Sequence, residues 1–284
     1  MEIKSTDIKA LREKTGAGMM DCKRALSEAE GDFAGAEKLL REWGMAGVEK
    51  RSGRATNEGR IFSAESVSAI SAVEIACETD FVARNDDFIA AGNKIASKAL
   101  ADRATSATPE LESMVKDIAS VIKENIALKR VRYFEAADGE LLHSYSHGEG
   151  KIFVVVKARA ASSDAFSDGA VTSFIHDVAL HVAAFNPMFL DQSVPDKAWV
   201  KEQEEIFAKQ VELDEKMKNK PAKVVEGILA GKLKKLMAEV CLMDQGFVKD
   251  EKLSVAQALA AVKKQSGKDF SIVEYAYLKV GETL

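Results

Sequence analysis

Apolar residues in the first fifty positions recur three and four apart and are cut by short polar breaks, which is the period of helices. Ile8, Leu11 and Arg12 belong to a first helix that ends at the breaker Thr15-Gly16-Ala17-Gly18; a second opens at Met19-Met20-Asp21-Cys22 and runs on through Leu26. After Glu30-Gly31-Asp32 a third carries Phe33, Ala36, Leu39, Leu40 and Trp43, with Gly44 read as its stop. Helices this short must share one core, so residues 1–48 are expected to form a three-helix domain and the charged, glycine-rich stretch 49–59 a linker.

From residue 60 the period falls towards two. Residues 61–65 and 69–77 read as strands, with Val73, Ile75 and Cys77 on one face. Two helices are expected next, one through Phe88, Ala91, Ile95 and Ala99, the other through Leu111, Val115, Ile118 and Ile122 behind Pro109. Strands return at 131–135, 141–145 and 151–156. Runs of strands broken by helix pairs argue for an α+β arrangement over regular βαβ alternation.

Residues 171–185 are helical in spacing and stop at Asn186-Pro187. Beyond Pro195-Asp196, Val200, Ile206, Phe207, Val211, Leu213 and Met217 form a stripe, Asn219-Lys220-Pro221 breaks it, and Val224, Val225, Ile228, Leu229, Leu233, Leu236 and Met237 form a returning one. This pair reads as an antiparallel helical hairpin over 195–240, and the many charges around a modest apolar stripe favour its projection from the body. A helix at 254–262 and an alternating strand at 272–278 follow. The strand's expected neighbour is the sheet begun at residue 131, which makes the hairpin an insertion.

Charge and cysteine content narrow the function classes. Forty Lys and Arg against 45 Asp and Glu leave a net charge of -5, which argues against a phosphate backbone as the main partner. Cys22, Cys77 and Cys241 are odd in number with no CxxC pair, so neither a disulfide framework nor a thiolate zinc site is suggested, and a reducing compartment fits. The opening residues MEIKSTD have no apolar run behind them and no later stretch reaches bilayer length, so the expected location is the cytoplasm, away from the membrane.

Enzyme chemistry has few candidates. The phosphate-loop, dinucleotide, zinc-protease and serine-hydrolase motifs are all missing, and no cofactor is implied. His176 and His181, five apart on one helix, would not face each other as a metal pair does, and His143 with His147 falls in a strand-and-turn region, so structural or surface roles outweigh metal binding. His147, beside Gly148 and Gly150, is also a candidate contact. Met19 and Met20 are either core residues or, since adjacent helical positions point about 100° apart, one core residue and one adaptable apolar contact. The apolar run 69–77 stops abruptly at Glu78-Thr79-Asp80-Phe81, with Asn85-Asp86-Asp87 ready to start the next helix. Phe81 is then a wedge for another protein's cleft or a core residue closing the sheet, and Asp80 steers beside it or caps the turn.

Two of these stretches, LREKTGAGMMDCKRAL at 11–26 and ETDFVARN at 78–85, together resemble the signatures of elongation factor Ts, the guanine-nucleotide exchange factor for elongation factor Tu. Glu124-Asn125-Ile126, residues 144–147, residues 181–184 with Pro187, and Phe247-Val248 extend the resemblance over nearly the whole chain. It implies a ubiquitin-associated-like (UBA-like) N-terminal domain and a core of two α+β subdomains with antiparallel sheets flanked by helices, at 60–140 and at 141–194 with 241–284, the hairpin being inserted in the second. By the same resemblance Arg12, Met19, Met20 and Lys23 approach the partner's nucleotide-binding domain, and Asp80 and Phe81, between Thr79 and Val82, form the wedge. Ile126 and His147 are further contacts, and Leu236 and Met237 touch the partner away from the nucleotide. The implied partner is elongation factor Tu in its GDP-bound and nucleotide-free forms, with no bond chemistry, cofactor, metal or direct nucleic-acid contact; the hairpin, which joins two factor molecules in some members, leaves self-association open. Some members carry a further C-terminal helical module, whose contacts find no residues here. A protein-binding scaffold without exchange activity is the alternative reading.

Overall fold

The computed structural model describes residues 3–214 and 220–282. Met217 and Asn219, expected in the hairpin stripe and its turn, lie outside the described residues. The fold is mixed α+β and divides into two compact units: Met1–Glu135 with Gly148–Ile152 and Leu278–Leu284, and Ala136–His147 with Phe153–Tyr277.

The first unit opens with helices α1 (Ser5–Thr15), α2 (Met19–Glu28) and α3 (Phe33–Arg51). Gly16 ends α1 in the left-handed conformation (φ 69°) that an L side chain rarely adopts, and Asp32 caps α3 by accepting the Gly35 N–H at 2.9 Å. Leu11, Cys22, Ala25, Leu26 and Ala36 form their common core. Gly44 does not stop α3, which runs on to Arg51 through the start of the expected linker. A Cβ on Gly44 would lie 2.7 Å from the Ser120 Cβ, so this glycine marks a close approach of two helices and not a terminus.

Strands β1 (Glu58–Glu65) and β2 (Ala69–Cys77) follow, then the short turn α4 (Asp80–Ala83), helices α5 (Asp86–Ala101) and α6 (Pro109–Ile122), and strand β3 (Ala127–Glu135). The sheet has the order β1-β2-β3 and is antiparallel throughout, with Phe62 opposite Val73 and Val73 opposite Val131. The strand expected to begin the later sheet therefore belongs to the first one, since backbone pairing partners are chosen across the fold and not by sequence proximity. Val73, Ile75 and Cys77 do join one core, with Phe88, Ile95, Leu111 and Val115 from the helices above. The alternation in β2 is hidden because every residue of this central strand is buried. Its buried Glu74 is neutralised by Arg130 and also accepts the Gly281 N–H at 2.9 Å.

The second unit contains β4 (Glu140–His147), β5 (Ile152–Ala160) from Phe153 on, α7 (Gly169–Phe185), α8 (Lys197–Leu213), α9 (Ala222–Val240), β6 (Gly246–Phe247), β7 (Asp250–Ser254), α10 (Val255–Ser266) and β8 (Phe270–Lys279) as far as Tyr277. Its sheet has the order β4-β5-β8, so the last strand lies beside β5, and Phe174 of α7 packs its ring on Phe247 and Phe270. Asn186, left-handed at φ 43°, ends α7 where expected. The small β6–β7 pair was not visible in the pattern, being too short to show a period. Helices α8 and α9 pack on each other, with Lys232 over the Phe207 ring and bonded to Gln210 at 3.3 Å. Phe207 and Val211, four apart, face inward; Ile206, Leu213 and Val224 of the expected stripes face solvent, because a neighbour one or two positions away turns off that face. Trp199 against the Phe189 ring and a bridge between Phe189 and Cys241 hold the base of the pair.

Candidate functional site

The most exposed aromatic side chain sits where β2 ends. After Cys77 the chain turns at Thr79, whose hydroxyl accepts the Val82 N–H at 3.3 Å and so caps α4. Thr79, not Asp80, is the cap. Ala83 is buried and Val82 packs on the core, which leaves Phe81 on the opposite side of the turn, 82 % exposed. Asn85 then starts α5 by accepting the Asp87 and Phe88 N–H groups at 2.9 and 3.1 Å. The ring is therefore held on a short segment between the Thr79 cap of α4 and the Asn85 cap of α5, and it closes no sheet. Around it Arg84 reaches Asp80 at 3.9 Å and Glu149 at 3.5 Å, exposed pairs that add little stability. A cavity of about 240 Å³ beside the turn is lined by Arg60, Asp80, Arg84, Glu149 and Lys151. The Cys77 thiol, pushed up to about 12 mainly by burial, stays protonated and offers no nucleophile here.

The methionines present a second apolar surface. Thr15 donates its hydroxyl to the Leu11 carbonyl at 2.7 Å and accepts the Ala17 N–H at 3.3 Å, which shapes the loop into α2. Cys22, Ala25 and Leu26 take the inward positions of α2, so neither methionine faces the bundle centre: Met19 is 45 % and Met20 74 % exposed. Arg12 and Lys23 are also exposed.

Other expected contacts differ in what they offer. Ile126 is buried in the core of the first unit, so its side chain is not presented on the surface. In the second unit His147 is exposed at the end of β4, with Nδ1 hydrogen-bonded to the Tyr145 hydroxyl at 3.0 Å. Leu236 is half-buried and Met237 buried on α9. His143 and His176 meet at 3.0 Å with rings nearly perpendicular, a pairing across strand and helix that spacing along one helix does not reveal. His181 is enclosed: Val248 donates its N–H to Nδ1 at 3.2 Å, so Nε2 carries the proton and donates to Gln245 Oε1 at 2.8 Å. Burial pushes its pKa down, opposed by that bond to Gln245.

Residues 78–282 match the family described as Elongation factor TS. Elongation factor Ts of Treponema denticola is 43% identical over 282 residues, covering 99% of this chain and 99% of its own. That of Borrelia hermsii is 42% identical over 282 residues, covering 99% of this chain and all of its own, and that of Borreliella burgdorferi strain ZS7 is 42% identical over 280 residues. The chain belongs to the elongation factor Ts family. Members of that family are guanine-nucleotide exchange factors for elongation factor Tu and catalyse no bond chemistry.

Phe81, Met19 and Met20 are apolar side chains that these segments leave exposed. The side chains that set the surroundings of Phe81 are not legible in the sequence: Arg84 stands within ETDFVARN with nothing to mark its role, and Glu149, far along the chain, has no local signal at all. Among the described residues no group of three His, Cys, Asp or Glu side chains is arranged to hold a metal, and no helix is long and apolar enough to cross a membrane.

Proposed function

We propose that this chain binds elongation factor Tu in its GDP-bound and nucleotide-free forms and promotes release of GDP by inserting the Phe81 ring into the partner's nucleotide-binding domain. The observation that carries the reading is the exposed ring on a turn that Thr79 caps at its start and that leads directly into the Asn85 cap of α5. A G protein holds its nucleotide through magnesium, a phosphate loop and base contacts, so release needs these loosened together. Phe81 does this by favouring a partner conformation that holds magnesium and phosphate poorly, with Asp80 steering beside it and Thr79 and Val82 supporting the turn. Met19 and Met20, with Arg12 and Lys23 around them, dock on the same domain, and their flexible side chains adapt to its surface.

His147 contacts the part of the partner that moves with its phosphate-binding loop, and Leu236 and the vicinity of Met237 touch the partner away from the nucleotide. Ile126 acts through the backbone it supports. In this reading the three N-terminal helices are a UBA-like module at 1–48, followed by a linker at 49–59, core subdomains at 60–140 and at 141–194 with 241–284, and an inserted hairpin at 195–240 whose outward Ile206, Leu213 and Val224 are available for self-association. The compartment is the cytoplasm, and no cofactor is needed.

Linkage tests this reading. If the chain weakens GDP on elongation factor Tu by some factor, GDP must weaken the chain's own binding by the same factor. Calorimetric Kd values for both ligands, each with and without the other saturating, are expected to differ by one common factor above about tenfold, a coupling in the usual range for allosteric pairs. Tight binding with unchanged GDP affinity would leave the scaffold alternative.

A further inference from the structure

We propose that Lys123, Glu124 and Asn125 are positioning residues that lock the Phe81 turn to the N-terminal helices, so that Phe81 and Met20 reach a partner as one preset surface; the proposal rests on the exchange reading above. Helix α6 ends at Lys123, whose backbone is left-handed at φ 65° and ψ 24°, a conformation uncommon outside glycine. The three consecutive residues then bond in three directions. Lys123 Nζ donates to Asp21, one residue from Met20 in the first turn of α2. Glu124 Oε2 accepts the N–H groups of Glu78 and Thr79, both at 3.1 Å, and its Oε1 accepts the Thr79 hydroxyl at 2.7 Å. Asn125 gives its backbone N–H to Glu78 Oε1 at 2.6 Å and its side-chain amide to the carbonyls of Ser52 and Arg54 at 3.2 and 2.6 Å, just past the end of α3.

Thr79 is the residue that caps α4, so Glu124 grips the backbone two positions before Phe81. Glu78 closes the arrangement from the other side, with Arg54 at 3.4 Å. These bonds to carboxylates are charge-assisted and stronger than neutral ones. They join the end of α3, the start of α2 and the Phe81 turn through one short segment. A wedge that is held in its working orientation a smaller part of the time acts with an apparent affinity reduced by that fraction.

The test is a double-mutant cycle on the full chain, reading GDP release from elongation factor Tu at sub-saturating concentration. Wild-type chain must accelerate release; if it does not, the exchange reading fails and takes this proposal with it. With acceleration established, Glu124→Ala is expected to lower the rate about tenfold, the size of a lost hydrogen bond to a charged group, and Glu124→Gln, which keeps one carbonyl for the two N–H groups, to recover most of it. In a Phe81→Ala background, Glu124→Ala is expected to add less than about twofold, because the turn it holds no longer carries the ring. The same tenfold loss in both backgrounds, or a Glu124→Ala rate within about twofold of wild type, overturns the proposal. Where Glu124→Ala folds poorly, Glu124→Met, which keeps the side-chain volume but removes both carboxylate oxygens, is carried through the cycle in its place, and equal losses with and without Phe81 overturn it in the same way.

Discussion

Phe81 and Ala83, two residues apart on one helical turn, stand at opposite extremes of exposure, 82 % and 3 %. Ala83 anchors the turn in the core, and the ring of Phe81 is left outside it. Removing the ring therefore costs the fold little. Phe81→Ala is expected to leave the melting temperature within about 2 °C of wild type, as surface substitutions do, while lowering exchange at least tenfold, an estimate for loss of a central interface aromatic. A fall of many degrees accompanying the lost exchange would return Phe81 to a core role.

Met20 is the more exposed of the two methionines and tests the second contact surface separately. Met20→Ala is expected to weaken binding to elongation factor Tu by about tenfold, of the order that burying such a side chain contributes, with thermal stability unchanged. Surface plasmon resonance with immobilised partner reads this directly. An unchanged Kd would remove α2 from the interface.

Gly44 and Ser120 give a stability prediction independent of any partner. Alanine is the better helix former by about 1 kcal/mol, so Gly44→Ala would stabilise an unobstructed helix. Here the new Cβ would lie 2.7 Å from the Ser120 Cβ but 3.6 Å from its Cα, an ordinary contact. Gly44→Ala is therefore expected to lower stability in the wild-type chain and to raise it in a Ser120→Gly background, measured by urea unfolding. The same sign in both backgrounds would contradict the close approach.

His181 makes stability depend on pH. Its native pKa is lowered by burial, so the native chain keeps it neutral while the unfolded chain takes up a proton below about 6.5. More protons bound in the unfolded state mean that stability falls as pH falls through that value, by up to about 1.4 kcal/mol per unit from this group, until the native imidazole also charges. A non-titrating His181→Gln variant is expected to be less stable at pH 8 and to show a shallower loss between pH 7 and 5. An equally steep loss in the variant would assign the acid sensitivity elsewhere.

The sequence period carried much of the secondary structure. The helices through Leu11, Phe88, Leu111 and Val171 and the strands around Val73 and Val154 stand where apolar spacing put them, because each buries one face on a shared core. What spacing missed involves contacts across the fold. Gly44 reads locally as a stop and is instead the point where α3 meets Ser120; β3 looks like the first strand of a later sheet and pairs with β2. At the site, the stretch from Glu78 to Asn85 announced a turn with an aromatic on it, but a sequence cannot say whether such a ring points in or out. Thr79 rather than Asp80 holds the cap because its hydroxyl both accepts the Val82 N–H and donates to Glu124, a residue 45 positions away.

A catalyst of nucleotide exchange differs from a mere binder of elongation factor Tu in turning over. Turnover is tested by stopped-flow release of a fluorescent GDP analogue from elongation factor Tu, with excess unlabelled nucleotide and a sub-stoichiometric amount of the chain. The whole pool of labelled complex is expected to release its nucleotide faster, each molecule of the chain serving many of the partner. Release at the unassisted rate, with binding of the two proteins shown in the same preparation, would contradict the exchange reading.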